Sequence, residues 1–274
     1  MMRYLKLFLL IVFVQVSFAQ QTYDDWVSRS FDMLEADSLI QAEDALVNAL
    51  RLEPANPQNF MLLTNLGTIQ RQLGKLDDAL LAYSSALMII PRSEGLLSSR
   101  AALYAEMQRW EEAEKDYTQI LLEEAENEEA LYLRGLVRLQ QGDTLAARKD
   151  FEWILTFNKT SSKARLGIAT LLKAARNYAM AAEMYSQVIH ANEESAQLYL
   201  KRSEVYYLDG KLSKAVDDIN ESIRLDPTDP MAYIVRGRIR YAQYDKKSAL
   251  VDFKKAQSLG FNEHLLQEWI KKCE

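Results

Sequence analysis

Apolar and small residues follow a helical spacing along most of the chain, and the same arrangement returns every 34 residues. The clearest marker is a row of six alanines: Ala79, Ala113, Ala147, Ala181, Ala215 and Ala249. A bulky apolar residue follows each alanine by four positions: Tyr83, Tyr117, Phe151, Tyr185, Ile219 and Phe253. A small residue precedes each alanine by twelve positions: Gly67, Ala101, Gly135, Ala169, Ser203 and Gly237. The pattern predicts a repeated pair of helices that cross at the small residues, with the bulky residues filling the gap to a neighbouring helix.

Glycine and proline mark the predicted ends of these helices. Gly74, Gly142 and Gly210 stand between the two helices of a pair, and glycine readily adopts the left-handed conformation that ends a helix. Pro91 and Pro227 follow the second helix, which proline cannot continue. Each pair would leave apolar faces that only another pair can cover, so the sequence predicts a stacked array of helix pairs.

A 34-residue period with this pattern resembles the tetratricopeptide repeat. The resemblance implies an all-α fold, a right-handed superhelical solenoid of about seven antiparallel helix pairs that form a single domain over residues 20–274. Six regular repeats span residues 60–263, and an irregular first repeat spans residues 23–56, with a three-residue insertion around Pro54–Asn59. Residues 262–273 are expected to form a capping helix that begins at Asn262. Its apolar face would consist of Leu265, Leu266, Trp269 and Ile270.

Residues 1–19 are typical of an export signal. Arg3 and Lys6 precede a short apolar run at residues 7–16, and small residues at Ser17 and Ala19 would allow cleavage before Gln20. An uncleaved membrane anchor is the alternative, although the run is shorter than the about 20 residues that span a bilayer. The junction resembles Gram-negative export signals. We therefore expect an exported protein of the periplasm or outer envelope of a Gram-negative bacterium, without stable membrane insertion after cleavage.

Composition and charge exclude several functions. The net charge of −6 disfavours nucleic acid as a partner, because phosphate binding needs a concentrated basic face. The two histidines, His190 and His264, are far apart in the repeat pattern and Cys273 is the only cysteine, so no metal site is expected. The chain contains no glycine-rich phosphate loop or nucleophile motif. We expect no cofactor and no enzymatic activity.

Arginine and aspartate occur together in four of the six regular repeats. Arginine precedes the small crossing residue at Arg100, Arg134, Arg202 and Arg236. Aspartate follows each arginine by sixteen residues, at Asp116, Asp150, Asp218 and Asp252. The two repeats that lack the arginine also lack the aspartate. This joint occurrence favours a salt bridge between the two helices of a repeat over the alternative, a row of guanidinium groups that binds an anion.

The resemblance also implies where a partner would bind. In that family the first helices of the repeats line a concave groove, and positions 2, 5, 9 and 12 of each repeat face it. The site residues that this implies are Tyr132, Leu136, Leu139, Lys163, Leu166, Lys173, Leu200, Glu204, Tyr207, Ile234, Arg238 and Tyr241. The alternative is that superhelix curvature hides several of these side chains against neighbouring helices.

Some members of the family hold the C-terminal carboxylate of a chaperone in a clamp of lysine, asparagine and arginine. Asn65 and Lys201 occupy the corresponding position here, but they lie four repeats apart, so this function is not carried over. The resemblance implies a non-enzymatic interaction module or scaffold that binds a protein or peptide partner on the concave face. The alternative is an assembly subunit of an envelope or secretion complex that uses its outer faces or the capping helix. The sequence does not determine the oligomeric state.

Overall fold

A computed structural model describes residues 21–274, so the predicted export signal at residues 1–19 lies outside the described residues. The described residues form fifteen α-helices and no strand, which confirms the all-α prediction. The helices are α1 (Tyr23–Glu35), α2 (Leu39–Leu52), α3 (Asn59–Gln72), α4 (Leu76–Ile89), α5 (Glu94–Glu106), α6 (Trp110–Glu123), α7 (Glu128–Gln140), α8 (Thr144–Phe157), α9 (Ser162–Ala174), α10 (Tyr178–Ala191), α11 (Ala196–Leu208), α12 (Leu212–Leu225), α13 (Pro230–Ala242), α14 (Lys246–Ser258) and α15 (Glu263–Cys273).

The first fourteen helices form seven pairs, and α15 follows alone. A three-residue turn joins the two helices of each pair, and so short a connection is typical of antiparallel neighbours. Four-residue loops join successive pairs from α4 onward, whereas the loop between α2 and α3 covers residues 53–58. The longer loop lies where the sequence predicts an insertion.

Contacts divide the chain into two compact units, with the boundary between Leu96 and Leu97 inside α5. In the first unit, the main core cluster lies among α1, α2, α3 and α4 and includes Ala42, Leu46 and Leu62. In the second unit, apolar residues form a series of small clusters between adjacent helices. A series of local cores is what stacked repeats require, since each repeat contacts only its neighbours. The single domain proposed for residues 20–274 stays a prediction.

The small residues at the helix crossings are required by close packing. A methyl group at Gly237 would lie 2.7 Å from Cε1 of Phe253, and one at Gly67 would lie 2.8 Å from Cε1 of Tyr83. The six marker alanines and the six bulky residues that follow them are all buried. These contacts confirm the predicted role of both sets. The structure adds Gly167, whose position on α9 places it against the ring of Phe151 from the preceding repeat.

The left-handed turn residue is present in every repeat, although only three repeats have glycine there. Gly74, Gly142 and Gly210 have φ of 74°, 84° and 71°. The corresponding residues Gln108, Arg176 and Tyr244 have φ of 58°, 58° and 64°. In the irregular first repeat Asp37 has φ of 54°.

The turns with and without glycine contain the same backbone hydrogen bond. After Gly74, Lys75 N–H donates to Gln70 O, and after Gln108, Arg109 N–H donates to Tyr104 O, both at 2.8 Å. Packing of the two flanking helices therefore imposes this turn even on residues that disfavour it.

The terminal helix α15 closes the last repeat. The Asn262 side chain accepts a hydrogen bond from the backbone N–H of His264, which confirms the predicted N-cap. Leu266 is buried, and Trp269 and Ile270 pack against the core formed with α13 and α14. Leu265 was predicted on the same face but is 63% exposed, because it lies at the edge of the face that packs against this core. Cys273 is buried in that core as a free thiol, and burial raises its pKa.

Candidate functional site

The predicted arginine–aspartate pairs all form, each with at least two hydrogen bonds. In one of them, Arg202 Nε lies 2.7 Å from Asp218 Oδ2 and Arg202 Nη2 lies 2.7 Å from Asp218 Oδ1. The hydrogen bond that Arg202 donates to Asp218 is the main cause of the raised pKa of Arg202. The other pairs are Arg100–Asp116, Arg134–Asp150 and Arg236–Asp252. Because each guanidinium already holds a carboxylate, these four arginines are scaffold rather than an anion site.

The same arginines also contact the preceding repeat, which the sequence reasoning missed. Arg202 Nη1 donates to Ser186 Oγ at 2.9 Å, and Arg134 Nη1 donates to Thr118 Oγ1 at 3.2 Å. Both acceptors stand sixteen residues before their arginine. A polar residue at that spacing was a signal that could have revealed the contact. Arg202 and Arg134 therefore each join three helices rather than two.

The twelve predicted site residues lie on the first helices α7, α9, α11 and α13, and we call their joint face the first-helix surface. Leu200 and Ile234 are only 2% and 7% exposed, so the prediction that they face a partner needs correction. Leu200 packs in the core between α11, α12 and α13, and Ile234 packs in the core beneath α15. The other ten residues are partly or fully exposed.

The apolar members on α7 and α9 serve mainly to cover the core. Tyr132, Leu136 and Leu139 pack around Phe151, and the ring centroids of Tyr132 and Phe151 lie 6.0 Å apart. Leu166 packs against Val188, Ile189 and Leu198. Burial and the nearby carboxylate of Glu129 raise the pKa of Tyr132. The polar Lys163 forms an ion pair with Glu129, which joins α9 to α7.

Four of the predicted residues converge on one cavity of about 100 Å³. Lys173 reaches it from α9, Glu204 and Tyr207 from α11, and Arg238 from α13. Lys173 Nζ lies 2.8 Å from Glu204 Oε2, so these two charges are paired across the two helices. Two apolar side chains, Leu208 and Val235, complete the lining.

Arg238 is held between aromatic rings from two different helices. Its guanidinium carbon lies 5.2 Å from the ring centroid of Tyr207 and 5.7 Å from that of Trp269 on α15. Both distances are within the range of cation–π attraction. The Trp269 centroid also lies 5.6 Å from that of Tyr241, in an edge-to-face arrangement. The sequence reasoning placed Trp269 in a rival site on the cap, whereas the structure brings it beside the first-helix surface.

The described residues 21–274 contain no group of three histidine, cysteine, aspartate or glutamate side chains that could hold a metal ion. Within the same residues, no helix has the length and the apolar content needed to cross a membrane.

Comparisons with known proteins agree with the repeat pattern. The family model described as Tetratricopeptide repeat matches residues 39–94, 99–155 and 166–230. A crystal structure of a tetratricopeptide repeat protein from Parabacteroides merdae ATCC 43184 superposes with a TM-score of 0.79 and 40% sequence identity, covering 93% of this chain and 99% of that one. One chain in the crystal structure of the APC/C hetero-tetramer Cut9–Hcn1 superposes with a TM-score of 0.66 at 13% identity, covering 92% of this chain and 53% of that one, which shows a shared fold alone.

Curated relatives are more distant. DnaJ homolog subfamily C member 7 homolog of Dictyostelium discoideum is 26% identical over 262 residues, which are 85% of this chain and 48% of the relative. Protein SGT1 homolog of Oryza sativa subsp. japonica is 30% identical over 100 residues, which are 36% of this chain and 27% of the relative. The chain thus spans at most about half the length of these relatives.

Proposed function

The chain belongs to the tetratricopeptide repeat family, whose members mediate interactions between proteins, and on that premise we propose that it is a non-enzymatic interaction module. The proposed binding site is the first-helix surface, centred on the cavity between α9, α11 and α13. A protein or peptide partner would lie across these helices and insert a side chain into the cavity.

The observation that carries this proposal is the convergence of Lys173, Glu204, Tyr207 and Arg238 on one cavity from three successive repeats. Elsewhere in the array, the residues that recur every 34 positions serve helix packing, as the buried alanines show. At the cavity, by contrast, charged and aromatic side chains remain partly exposed. Packing alone does not require that arrangement.

The residue types at the cavity suit partner binding. Tyrosine, tryptophan and arginine are the residues that most often dominate binding energy at protein interfaces. Tyr207 and Trp269 fix the guanidinium of Arg238 from two sides, so little side-chain entropy remains to be lost on binding. Stacked helices also hold the backbone of the site in place before a partner arrives.

Site-specific photo-crosslinking tests the location of the site. A benzophenone amino acid at Tyr207 should form an adduct with a partner protein in cells. The matched control is the same replacement at Tyr244, a tyrosine that is 93% exposed on the turn between α13 and α14 and outside the cavity. An adduct from Tyr207 and none from Tyr244 is the expected result.

The rival function is an assembly subunit that binds through the second helices or the cap. Leu145 on α8 and Leu265 on α15 are exposed apolar residues on those surfaces and serve as further crosslinking positions. Adducts from Leu145 or Leu265 in the absence of one from Tyr207 would replace the proposed site with the rival.

We further infer that the protein is exported to the envelope of a Gram-negative bacterium. The proposal rests on the basic start, the short apolar run and the small residues of positions 1–19. N-terminal sequencing of the protein purified from its source should begin at Gln20. A protein that retains residues 1–19 and fractionates with the cytoplasm would refute export.

A further inference from the structure

We propose that the cavity at Arg238 receives the carboxylate of an aspartate or glutamate side chain from the partner. This inference rests on the proposed function and adds the chemical class of the residue that enters the site. Arg238 would be the anchor, with Lys173 adding to the positive potential and Tyr207 and Trp269 orienting the guanidinium.

The first observation is a buried donor without an acceptor. Arg238 Nε is inaccessible to solvent and makes no hydrogen bond within the structure, and no ion pair joins Arg238 to a described residue. A guanidinium has five N–H donors, all in its plane. The Tyr207 and Trp269 rings attract the cation, and no hydrogen bond joins Arg238 to the Tyr207 hydroxyl. The Nη groups of Arg238 also have no hydrogen-bond partner among the described residues, but unlike Nε they are not closed to solvent. A carboxylate that enters the cavity would therefore bind the Nη groups, and Nε reports on that binding as part of the same guanidinium.

The second observation is the contrast with the neighbouring arginines. On the same helix α13, Arg236 and Arg240 both bind the carboxylate of Asp252, at 2.8 Å each. On α11, Arg202 binds Asp218. Among the arginines of α11 and α13, all within the described residues, Arg238 is the one without a carboxylate. It also differs from the others in facing the cavity.

The third observation is the local charge. Two cations, Lys173 and Arg238, and one carboxylate, Glu204, line the cavity. Because Lys173 and Glu204 form an ion pair, one positive charge remains on Arg238. A single carboxylate from the partner would neutralise this charge, whereas a lysine or arginine from the partner would be repelled by it. This local excess occurs in a chain whose net charge is −6.

The proposal commits to a side chain as the source of the carboxylate, and a chain terminus is the alternative that N-acetylglycine tests. A volume of about 100 Å³ accommodates the end of one side chain. A chain terminus would have to bring its carboxylate together with a backbone and a side chain of its own. The apolar walls at Leu208 and Val235 suit the methylene groups of an aspartate or glutamate.

Nuclear magnetic resonance of the arginine side chain tests the inference directly. The probe is N-acetylglutamate α-amide, which carries a side-chain carboxylate and has both backbone ends blocked; N-acetylglutamine α-amide is its uncharged control. The Nε–Hε signal of Arg238 is identified by its loss in Arg238→Gln. We expect the acidic probe to shift this signal saturably, with a dissociation constant of about 1 mM or weaker for so small a fragment.

Three outcomes would overturn the inference. The acidic probe could leave the Arg238 signal unmoved, the glutamine probe could shift it equally, or N-acetylglycine, which mimics a chain terminus, could bind more tightly than the acidic probe. Arg148→Gln, which removes an exposed arginine of α8, should leave the Arg238 titration unchanged.

The crosslink at Tyr207 separates failure of this inference from failure of the proposed function. If the Tyr207 adduct forms and is equally strong in Arg238→Gln, the first-helix surface stands and the carboxylate inference falls. If the adduct forms and weakens at least tenfold in Arg238→Gln but not in Arg148→Gln, both stand. If no adduct forms at Tyr207, the proposed site itself is wrong.

Discussion

The buried pair Arg202–Asp218 offers the sharpest test of how the repeats are held together. Unlike Asp150 and Asp252, which each bind two arginines, Asp218 binds Arg202 alone among the described residues. The side chains of Arg202 and Asp218 are 18% and 8% exposed. The perturbations are Arg202→Met, Asp218→Leu and the double replacement.

Either single replacement leaves one charge in a largely buried site without its partner. Loss of one member of such a pair costs about 3 kcal/mol of unfolding free energy. Replacing both members removes the stranded charge, so the double variant should cost less than either single one. The four proteins form a double-mutant cycle. Arg202 also contacts Ser186 and the rings of Tyr199 and Tyr206, and these contacts are lost whether or not Asp218 is present, so they cancel in the coupling energy. The expected coupling energy is about 2 kcal/mol or more.

A pair with the same geometry but greater exposure serves as the control. Arg224 also binds Glu221 with two hydrogen bonds, at 2.8 and 2.6 Å, but the side chains are 66% and 33% exposed. The same replacements there should give a coupling near the measurement error, since solvent screens the attraction.

Urea unfolding followed by circular dichroism at neutral pH measures all seven proteins, the wild type and the six variants. The slope of the transition must stay constant across variants, because repeat arrays can unfold in parts. If the losses at Arg202 and Asp218 are additive, the coupling energy is as small as that of the control pair. That result would show that Arg202 and Asp218 do not interact and that our account of the repeat is wrong.

Other expected outcomes concern packing, turns, the cap and pH. Gly237→Ala should lower the urea midpoint by the equivalent of about 1–3 kcal/mol, because the new methyl group meets the buried ring of Phe253; an unchanged midpoint would contradict the crossing. Gln108→Gly should raise the melting temperature, because it relieves about 1 kcal/mol of left-handed strain, and a fall would show that the turn is unstrained. Deleting residues 262–274 should lower solubility and melting temperature by uncovering the last repeat, and unchanged values would remove the capping role. Burial, followed by the charge of Glu204, raises the pKa of Tyr185 above 10.0, so stability should be intact below that pH and fall above it; Tyr185→Phe should lessen that alkaline loss, as thermal melts would show.

The repeat itself was predictable because its determinants lie at fixed spacings along the chain. The alanines, the bulky residues four positions later and the small crossing residues each occupy one site in every repeat, so sequence register alone pairs them correctly. The same register paired Arg202 with Asp218, which are sixteen residues apart within one repeat. The insertion before α3 followed from the break in that register.

The candidate site was predictable only in part. The family pattern brought Lys173, Glu204, Tyr207 and Arg238 together correctly as neighbours on the first helices. It failed at Leu200 and Ile234, which occupy equivalent positions but are buried. How deeply a position is buried depends on how closely successive repeats and the cap pack. The sequence of a single repeat does not determine that spacing between repeats.

The sequence by itself therefore determined the period, the helix pairs, the crossings and the salt bridges, since each depends on residues within one repeat or between adjacent ones. Tertiary structure alone decided which first-helix residues reach the surface, which turns become left-handed without glycine, and what surrounds Arg238. The last of these joins Tyr207 of α11 to Trp269 of α15, 62 residues apart and in different structural roles. Such a contact follows from the packing of the cap against the last repeats, which a local pattern does not specify.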